Sequence, residues 1–302
     1  MSRRVWLPLA VLSVLPPVAG CRAPPSPAAT RPATPRRIIT IAPNAAEIIV
    51  ALGEAGRLVA VDKFCTGPRE LDPLPRVGGL FDPDLEAIVR LQPDLLILRG
   101  RNEILERLCA DRRIPVYLDP TERLTDIHDT IGRLGEMLDC PAAARRLQQE
   151  MSDRLKRIAA AVSGRPRPRV FIAIARKPDS LADILTTGSN TFVHEIITLA
   201  GGENVFARLA MDYPQVSLEA IAAAAPEAII EAMPEAEPTS ELQDAARRLW
   251  AQLGPVPAVR DGRILLLTDD HALIPSPRVV EIIAHVARWL HPELELCLLY
   301  TS

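Results

Sequence analysis

The amino-acid sequence predicts an α/β protein of two lobes with mainly parallel sheets, joined by a single long helix. Three observations lead to this prediction. Short aliphatic or β-branched runs alternate with helical patterns in both halves of the chain, which is typical of βαβ units. Between the two series, residues 142–162 follow Pro141 without a further Gly or Pro, which favours one long helix. One helix–strand motif also occurs once in each half.

The first half has four predicted strands and four predicted helices. The strands are short runs rich in Ile, Val and Leu: 37–42 (RIITIA), 58–61, 94–98 (DLLIL) and 115–118. The helices between them have apolar residues at helical spacing: 45–52, which ends at Gly53, then 84–91, 103–111 and 124–138. Strands that alternate with helices in this way predict a parallel sheet.

The second half follows the long helix, which ends at the sequence GRPRP over residues 164–168. Its predicted strands are again short aliphatic runs: 170–175, 228–231 and 264–267. Its predicted helices are 191–200, 217–225, 241–253 and 277–290. This second series predicts a second lobe of the same class.

An internal repeat supports the two-lobe prediction. The tetrapeptide LEAI occupies residues 85–88 and again 218–221, and in both copies a proline follows the glutamate after seven residues. Asp84 and Ser217 precede the two copies and are the residue types that cap helix N-termini. We interpret the repeat as one helix–strand unit used once per lobe.

The N-terminus has the pattern of a lipoprotein signal peptide. Arg3 and Arg4 precede an apolar run over residues 5–18, which is short for a membrane span. The run closes with Val-Ala-Gly before Cys21, which resembles a bacterial lipobox. We predict removal of residues 1–20 and lipidation of Cys21. A free cysteine after an ordinary signal peptide is the alternative.

Two further segments are predicted to lie outside the folded body. Residues 21–36 are rich in Pro and Ala and are predicted to be an extended tether. Residues 293–302 have an uncharged end that resembles translated adapter sequence, so we predict a non-native tail, with a genuine short tail as the alternative. No later run is long and apolar enough to suggest a membrane span.

Composition and motifs exclude several classes of function. A net charge of −3 and an aromatic content of 4% argue against nucleic-acid binding. The five cysteines are too few for a disulfide scaffold, although a disulfide between Cys109 and Cys140 stays an open alternative. The sequence has no G-x-S-x-G, H-E-x-x-H, C-x-x-C, P-loop or G-x-G-x-x-G. We therefore predict a protein that is not an enzyme and has neither a cofactor nor a metal site of its own.

In order along the chain, several short motifs together resemble the class III substrate-binding proteins of ABC importers. They are RIITIAPN at 37–44, LEAI with the following proline, GGENVF at 201–206, YPQVS at 213–217 and SPR at 276–278. This family serves vitamin B12, ferric siderophores and haem, and its cobalamin-binding members are the most similar. The resemblance covers residues 37–292 and implies two Rossmann-like lobes, 37–140 and 165–292, held nearly rigid by a connecting helix at 141–164.

The resemblance implies a lipid-anchored, extracytoplasmic receptor that lies in the periplasm or on the cell surface. It is expected to be monomeric, to capture cobalamin and to deliver it to an ABC permease dimer with its ATPase subunits. The same role for a ferric siderophore or haem is the alternative. A zinc or manganese receptor and a chelatase-like enzyme fit less well, since the five histidines lie mostly in helical patterns.

The family binds its ligand between the lobes, in loops that follow the strands. The corresponding candidates here are Pro43, Asn44, Phe64, Arg99, Tyr213, Asp270, His271 and Arg278. His271 could be an axial ligand of a metal inside the bound molecule, or a solvated loop residue. Leu80 and Leu98 stand where the cobalamin-binding members have tryptophan, which leaves the ligand open.

The repeat also has an implied role. In this family one glutamate per lobe pairs with arginines of the permease, and Glu86 and Glu219 occupy the matching positions. One acid on each lobe suits a two-fold dimer, and charge pairs steer docking. The alternative is that each acid only complements the dipole of its own helix, which does not account for their equivalence in the two lobes.

Overall fold

The computed structural model describes residues 33–234 and 236–294. The predicted signal peptide, Cys21, most of the predicted tether and residues 295–302 of the predicted tail lie outside these residues. Within the described part, no helix combines the length and apolar character that a membrane span requires.

The first lobe is built on a four-stranded sheet in the order β2-β1-β3-β4, with every pair parallel. Its strands are β1 (Ile38–Ile41), β2 (Leu58–Val61), β3 (Leu95–Leu98) and β4 (Val116–Leu118). Its helices are α1 (Pro43–Ala51), α2 (Leu85–Arg90), α3 (Glu103–Arg112) and α4 (Leu124–Met137). The central strands β1 and β3 are buried along their whole length, as expected for a parallel sheet covered on both faces.

A helix of 22 residues, α5 (Pro141–Val162), leads to the second lobe. That lobe has a parallel sheet in the order β10-β9-β5-β7 and an antiparallel ribbon of β6 and β8. Its strands are β5 (Arg169–Ala173), β6 (Ile184–Leu185), β7 (Glu203–Asn204), β8 (Gln215–Val216), β9 (Ala228–Ala232) and β10 (Ile264–Leu267). Its helices are α6 (Phe192–Leu199), α7 (Leu218–Ala224), α8 (Ser240–Trp250), α9 (Pro257–Arg260) and α10 (Val279–Leu290).

The predicted elements are present, with ends that shift by a few residues. The strands predicted at 58–61 and 264–267 have the predicted bounds. The helix predicted over 241–253 ends as an α-helix at Trp250 and continues as a 3-10 turn, so its predicted end was wrong. The sequence did not predict β6, β7, β8 or α9, because strands of two residues and a helix of four residues are too short to show a period.

The long helix is packed against both lobes. Its buried residues Ala144, Met151, Ile158 and Val162 lie on one face, and they join a core that includes Ile131 of α4. The same core continues to Ile283 of α10. Because one apolar core runs from the first lobe through α5 into the second, a free hinge at this helix would expose buried apolar surface.

The repeat predicted from LEAI is real in structure. The Asp84 carboxylate accepts a hydrogen bond from the Ala87 amide at 2.9 Å, and the Ser217 hydroxyl accepts one from the Ala220 amide at 3.3 Å. These are the predicted N-caps of α2 and α7. Each helix is followed by an inner strand of its sheet, β3 or β9.

Candidate functional site

The carboxyl ends of the parallel strands carry the candidate ligand residues. In the first lobe the strands are followed by residues 42–44, which include the first two residues of α1, and by 62–84, 99–102 and 119–123. In the second lobe the corresponding segments include 205–214 and 268–278. All eight predicted ligand residues lie in these segments. Because carboxyl ends of parallel strands meet at one edge of a sheet, each lobe gathers its candidates at a single edge.

Large exposed apolar side chains are found at the same edges. Among the described residues this group comprises Phe64, Phe81, Ile104, Leu118, Leu209 and Met211, which we call the apolar rim. Four follow a strand within the segments above, Leu118 is the last residue of β4, and Ile104 lies in the first turn of α3. Exposed apolar side chains that cluster in this way indicate a surface for a large, partly apolar ligand.

Arg99, Glu122 and Tyr213 form a polar cluster that joins the two lobes. Arg99 Nη2 lies 3.7 Å from Glu122 Oε2 within the first lobe. Tyr213 comes from the second lobe, and burial raises the pKa of its phenol to about 12, an effect to which the charge of Glu122 and a hydrogen bond with its carboxylate add. Two predicted residues, Arg99 and Tyr213, are therefore linked by a third, Glu122, that the sequence did not single out.

The raised pKa of Tyr213 predicts a pH dependence of stability. The folded-state pKa of about 12 exceeds the ordinary value of 10.0, so folding favours the protonated phenol. The contribution of Tyr213 to the free energy of unfolding is fully present below the ordinary pKa. It is lost as the pH rises through the folded-state pKa. Urea unfolding at pH 9 and pH 11.5 should show the advantage of wild type over Tyr213→Phe shrinking at the higher pH. An advantage independent of pH would contradict this.

Asn44 is buried and held inside the first lobe. Its Nδ2 donates to Asp119 Oδ2 at 2.5 Å, and the other carboxylate oxygen of Asp119 accepts from the Thr121 and Thr130 hydroxyls. Asn44 Oδ1 has no hydrogen-bond partner among the described residues. The predicted contact of Asn44 with ligand stays a prediction, while its role in ordering the end of β1 is visible.

Arg278 is engaged by a carboxylate of the other lobe. Its Nη2 and Nε donate to the two oxygens of Glu47 on α1, at 2.6 and 3.0 Å, and the Ser276 hydroxyl donates to Glu47 Oε2. The Glu47 side chain is 3% exposed and that of Arg278 is 25% exposed. Burial opposes the charge of Arg278, but the hydrogen bond and charge of Glu47 raise the pKa of its guanidinium. We call Glu47, Ser276 and Arg278 the interlobe clamp.

Asp270 and His271 extend this network within the second lobe. Asp270 Oδ1 lies 3.3 Å from Arg278 Nη1 and 2.8 Å from His271 Nδ1. His271 is buried, with its Nε2 3.5 Å from Glu281 of α10. The structure thus shows His271 between two carboxylates, unlike the solvated loop residue that was the alternative prediction. Its predicted contact with a metal of the ligand stays a prediction.

Glu47 carried a signal that the sequence reasoning did not use. It lies in the run AAEIIVA, where its neighbours Ala46, Ile48 and Ile49 are all buried. A carboxylate inside an apolar helix of this kind is almost never fully buried without a partner, so its presence indicated a distant cation. Which cation it would be could not be read from the pattern.

Pro43 and Phe64 differ in their accessibility. Pro43 is half-buried at the first position of α1, where its fixed backbone angle suits the start of a helix. Phe64 is 57% exposed, and Lys63 Nζ lies 5.0 Å from the centre of its ring. Phe64 is therefore available to a ligand in this structure.

The two predicted docking acids lie on equivalent exposed sites. The Glu86 side chain is 90% exposed and 3.6 Å from Arg90. Hydrogen bonds with Ser217 and with its own backbone lower the pKa of Glu219, which is also exposed. Both lie in the first turn of a helix that runs back toward the start of the next strand, which places both at the carboxyl edges that carry the ligand candidates.

The described residues contain three free thiols and no side-chain cluster that could hold a metal ion. Among the described residues, no group of three or more His, Cys, Asp and Glu side chains is arranged to hold a metal ion. Cys65, Cys109 and Cys140 are free. Burial raises the pKa of the Cys65 thiol to about 12, with the charge of Asp62 adding to it.

Comparison with known proteins agrees with this architecture. Residues 38–271 match the periplasmic binding protein family, and the chain belongs to that family. It is 30% identical over 253 residues to a vitamin B12-binding protein of Vibrio parahaemolyticus, covering 83% of this chain and 87% of that protein. It is 28% identical to a cobalamin-binding protein of Halobacterium salinarum, covering 87% of this chain and 72% of that protein.

Solved structures of proteins that are named for two kinds of ligand share this fold. The periplasmic vitamin B12 binding protein BtuF of Vibrio cholerae superposes with a TM-score of 0.71 at 26% identity, over 85% of this chain and 97% of that one. A periplasmic heme binding protein from Pseudomonas aeruginosa superposes with a TM-score of 0.76 at 28% identity, over 86% of this chain and 94% of that one.

These findings confirm the predicted family and the two-lobed α/β fold. The chain is a substrate-binding protein of an ABC importer and not an enzyme, and what it binds is cargo rather than a cofactor. Its partners by class are a small molecule and a permease.

Proposed function

We propose that this protein captures a corrinoid between its lobes and delivers it to an ABC permease while a lipid on Cys21 holds it at the membrane. The apolar rim is the observation that carries the proposal. It provides apolar side chains from both lobes at the edges where ligands of parallel sheets bind. A macrocycle is a ligand large enough to contact several of them at once, and relatives named for vitamin B12 support this class.

The charges of the candidate site favour a corrinoid over haem. Haem carries two carboxylates, whereas the corrin ring of cobalamin carries mainly neutral amides. Both arginines predicted for the site already face a carboxylate, Arg99 at 3.7 Å from Glu122 and Arg278 at 2.6 Å from Glu47. Recruiting Arg278 to a haem carboxylate would leave the buried Glu47 with only the Ser276 hydroxyl as a donor from the clamp.

The phenol of Tyr213 gives a second argument. A tyrosine that binds haem iron does so as a phenolate. Burial raises the pKa of Tyr213 from 10.0 to about 12, so its phenolate is harder to form than that of an ordinary tyrosine. Cobalamin already carries its own axial groups and needs no phenolate from the protein. Haem remains the second candidate, because the solved heme binding protein of Pseudomonas aeruginosa shares the fold at 28% identity.

A direct comparison of ligands tests the proposal. We expect the chain from Thr34 onward to retain cyanocobalamin with one-to-one stoichiometry in equilibrium dialysis, and to retain haem and a ferric siderophore at least about ten-fold less tightly. Each ligand is measured by its own visible absorbance. Tight retention of haem with no retention of cyanocobalamin would reverse the assignment. Glu122→Gln serves as a companion variant, because it frees Arg99 and should improve haem binding without improving that of cobalamin.

Delivery is proposed to depend on Glu86 and Glu219. The support is their equivalence in the two lobes: each occupies the second position of a capped helix, at the carboxyl edge of its sheet. One exposed acid per lobe suits a permease dimer with one cationic site per subunit.

A further inference from the structure

Phe81 lies in the segment between β2 and α2, and its aromatic side chain is unusually exposed. It is 94% exposed, more than any other large apolar side chain of the described residues. By comparison Phe171 and Phe192 are buried in the core. A phenylalanine held in water gains nothing for folding, so its position is more informative than that of a buried one.

The backbone around Phe81 is fixed at both ends. Asp84 N donates to Val77 O at 2.9 Å, and Lys63 N donates to Gly78 O at 2.9 Å. Gly78 has φ of +79° and lies so close to the Asp82 carbonyl that a Cβ there would be 2.2 Å from its oxygen. Residues 78–82, which we call the Phe81 turn, therefore have a conformation that only glycine permits at the first position.

Side chains hold the turn as well. Asp82 accepts from the Gly79 amide at 3.2 Å and from Lys63 Nζ at 2.5 Å. The Leu80 carbonyl accepts from Asn102 Nδ2 at 2.5 Å, and Asn102 is also the N-cap of α3. The turn is thus attached both to the end of β2 and to the start of α3. Its single charged residue, Asp82, is paired with Lys63, which leaves the phenyl ring as the outward feature of the turn.

The turn is continuous with the candidate ligand site. A Cβ at Gly79 would lie 3.2 Å from Phe64 Cε2, so the Phe64 ring packs on the turn. A Cβ at Gly100 would lie 3.0 Å from Leu80 Cδ2, so the Leu80 side chain covers the residue next to Arg99. Since β1 lies between β2 and β3, the turn bridges the end of β1, where Pro43 begins α1.

We propose that Phe81 contacts an apolar face of the bound macrocycle and acts as a preset aromatic anchor; this inference rests on the proposed function. Leu80, the residue before it, turns its side chain toward Gly100, so Phe81 is the side chain of the turn that is free to meet a ligand. Because the backbone of the turn is already fixed, the anchor binds without a large cost in conformational entropy.

Binding of cyanocobalamin to the full chain tests this assignment. We expect Phe81→Ala to raise Kd about ten-fold, because burying a phenyl ring against the ligand contributes about that factor in affinity. Most of the change should be faster dissociation, which stopped flow measures. The Kd of Phe81→Leu should lie between those of wild type and Phe81→Ala, and the Kd of Phe81→Trp should stay within about two-fold of the wild-type value. The new indole should also be quenched when cyanocobalamin binds, well beyond the quenching of the wild-type tryptophans. The unfolding midpoint should not change, because the ring is 94% exposed.

The outcomes separate this inference from the function on which it rests. If wild type retains no cyanocobalamin, the proposed function fails and the anchor fails with it. If wild type binds and Phe81→Ala binds equally well, the anchor alone is overturned. Equal binding combined with lost uptake in cells would assign Phe81 to the permease surface, which also overturns its role in ligand binding.

Discussion

Replacing Arg278 by alanine is expected to lower the free energy of unfolding by about 3 kcal/mol. The Glu47 carboxylate is 3% exposed, and its oxygens lie 2.6 and 3.0 Å from Arg278 nitrogens. Without the guanidinium, this buried charge would keep only the Ser276 hydroxyl as a donor from the clamp. Urea unfolding of the ligand-free protein at neutral pH measures the loss, and the midpoint should fall accordingly.

A double-mutant cycle with Glu47→Ala isolates the pair itself. We expect a coupling energy of at least about 2 kcal/mol, because the two side chains form one network. Replacing both by methionine should recover much of the stability, since an apolar pair of similar volume avoids the cost of desolvation. A coupling energy near zero, with a loss of ligand affinity instead, would show that Arg278 is mainly a ligand contact, as the sequence predicted.

A second pair between the lobes provides the control. Arg123 Nη2 lies 2.9 Å from Glu195 Oε1, but the Arg123 side chain is 49% exposed. Exposed ion pairs contribute little, so Arg123→Ala should lower the free energy of unfolding much less than Arg278→Ala does. The two variants remove the same type of charge from contacts between the same two lobes. A larger effect at Arg123 than at Arg278 would contradict the importance that we assign to burial.

Uptake of cyanocobalamin should be abolished when Glu86 and Glu219 are both replaced by alanine. The side chains are exposed, and the docking proposal assigns each of them one of two equivalent charge contacts with a dimeric permease. Neither side chain is a candidate ligand contact, so Kd for cyanocobalamin should stay unchanged. The measurement is accumulation of labelled cyanocobalamin in cells that carry the permease. Normal uptake by the double variant would contradict the docking proposal.

The chain contains a matched control for this variant. Glu103 and Glu241 are also exposed acids in the first turn of a helix, one in each lobe. Alanine at both positions removes the same charge and the same favourable interaction with a helix dipole. Uptake by this control should stay near that of wild type. If both double variants lose uptake equally, net charge rather than position would account for the result.

Local pattern was sufficient for most of the fold. The run RIITIA, the DLLIL strand and the uninterrupted helix after Pro141 each carry a period or a boundary that short-range physical chemistry sets. The repeat of LEAI also identified the capped helices α2 and α7, and both N-caps are present. Elements of two to four residues, such as β6 and α9, were missed, because they are defined by their partners across the sheet or loop.

The candidate site was only partly accessible to the same reasoning. The motif pattern placed Phe64 and Arg99 after predicted strands, where they lie, and put Tyr213 among the candidates of the second lobe; their contact with ligand stays a prediction. It could not show that Arg99 and Tyr213 share Glu122, or that Phe81 is the exposed ring while Leu80 turns inward. Those distinctions depend on side-chain direction within irregular segments, where no period operates.

The sequence alone determined the class of fold, the order of its longer elements and the capped repeat, because each follows from contacts between near neighbours in the chain. The tertiary structure alone decided which charges meet. Glu47 and Arg278 are separated by 231 positions, yet they form a buried pair. A pattern of burial shows that a charge needs a partner, but only the packing of one lobe against the other determines which partner lies within reach.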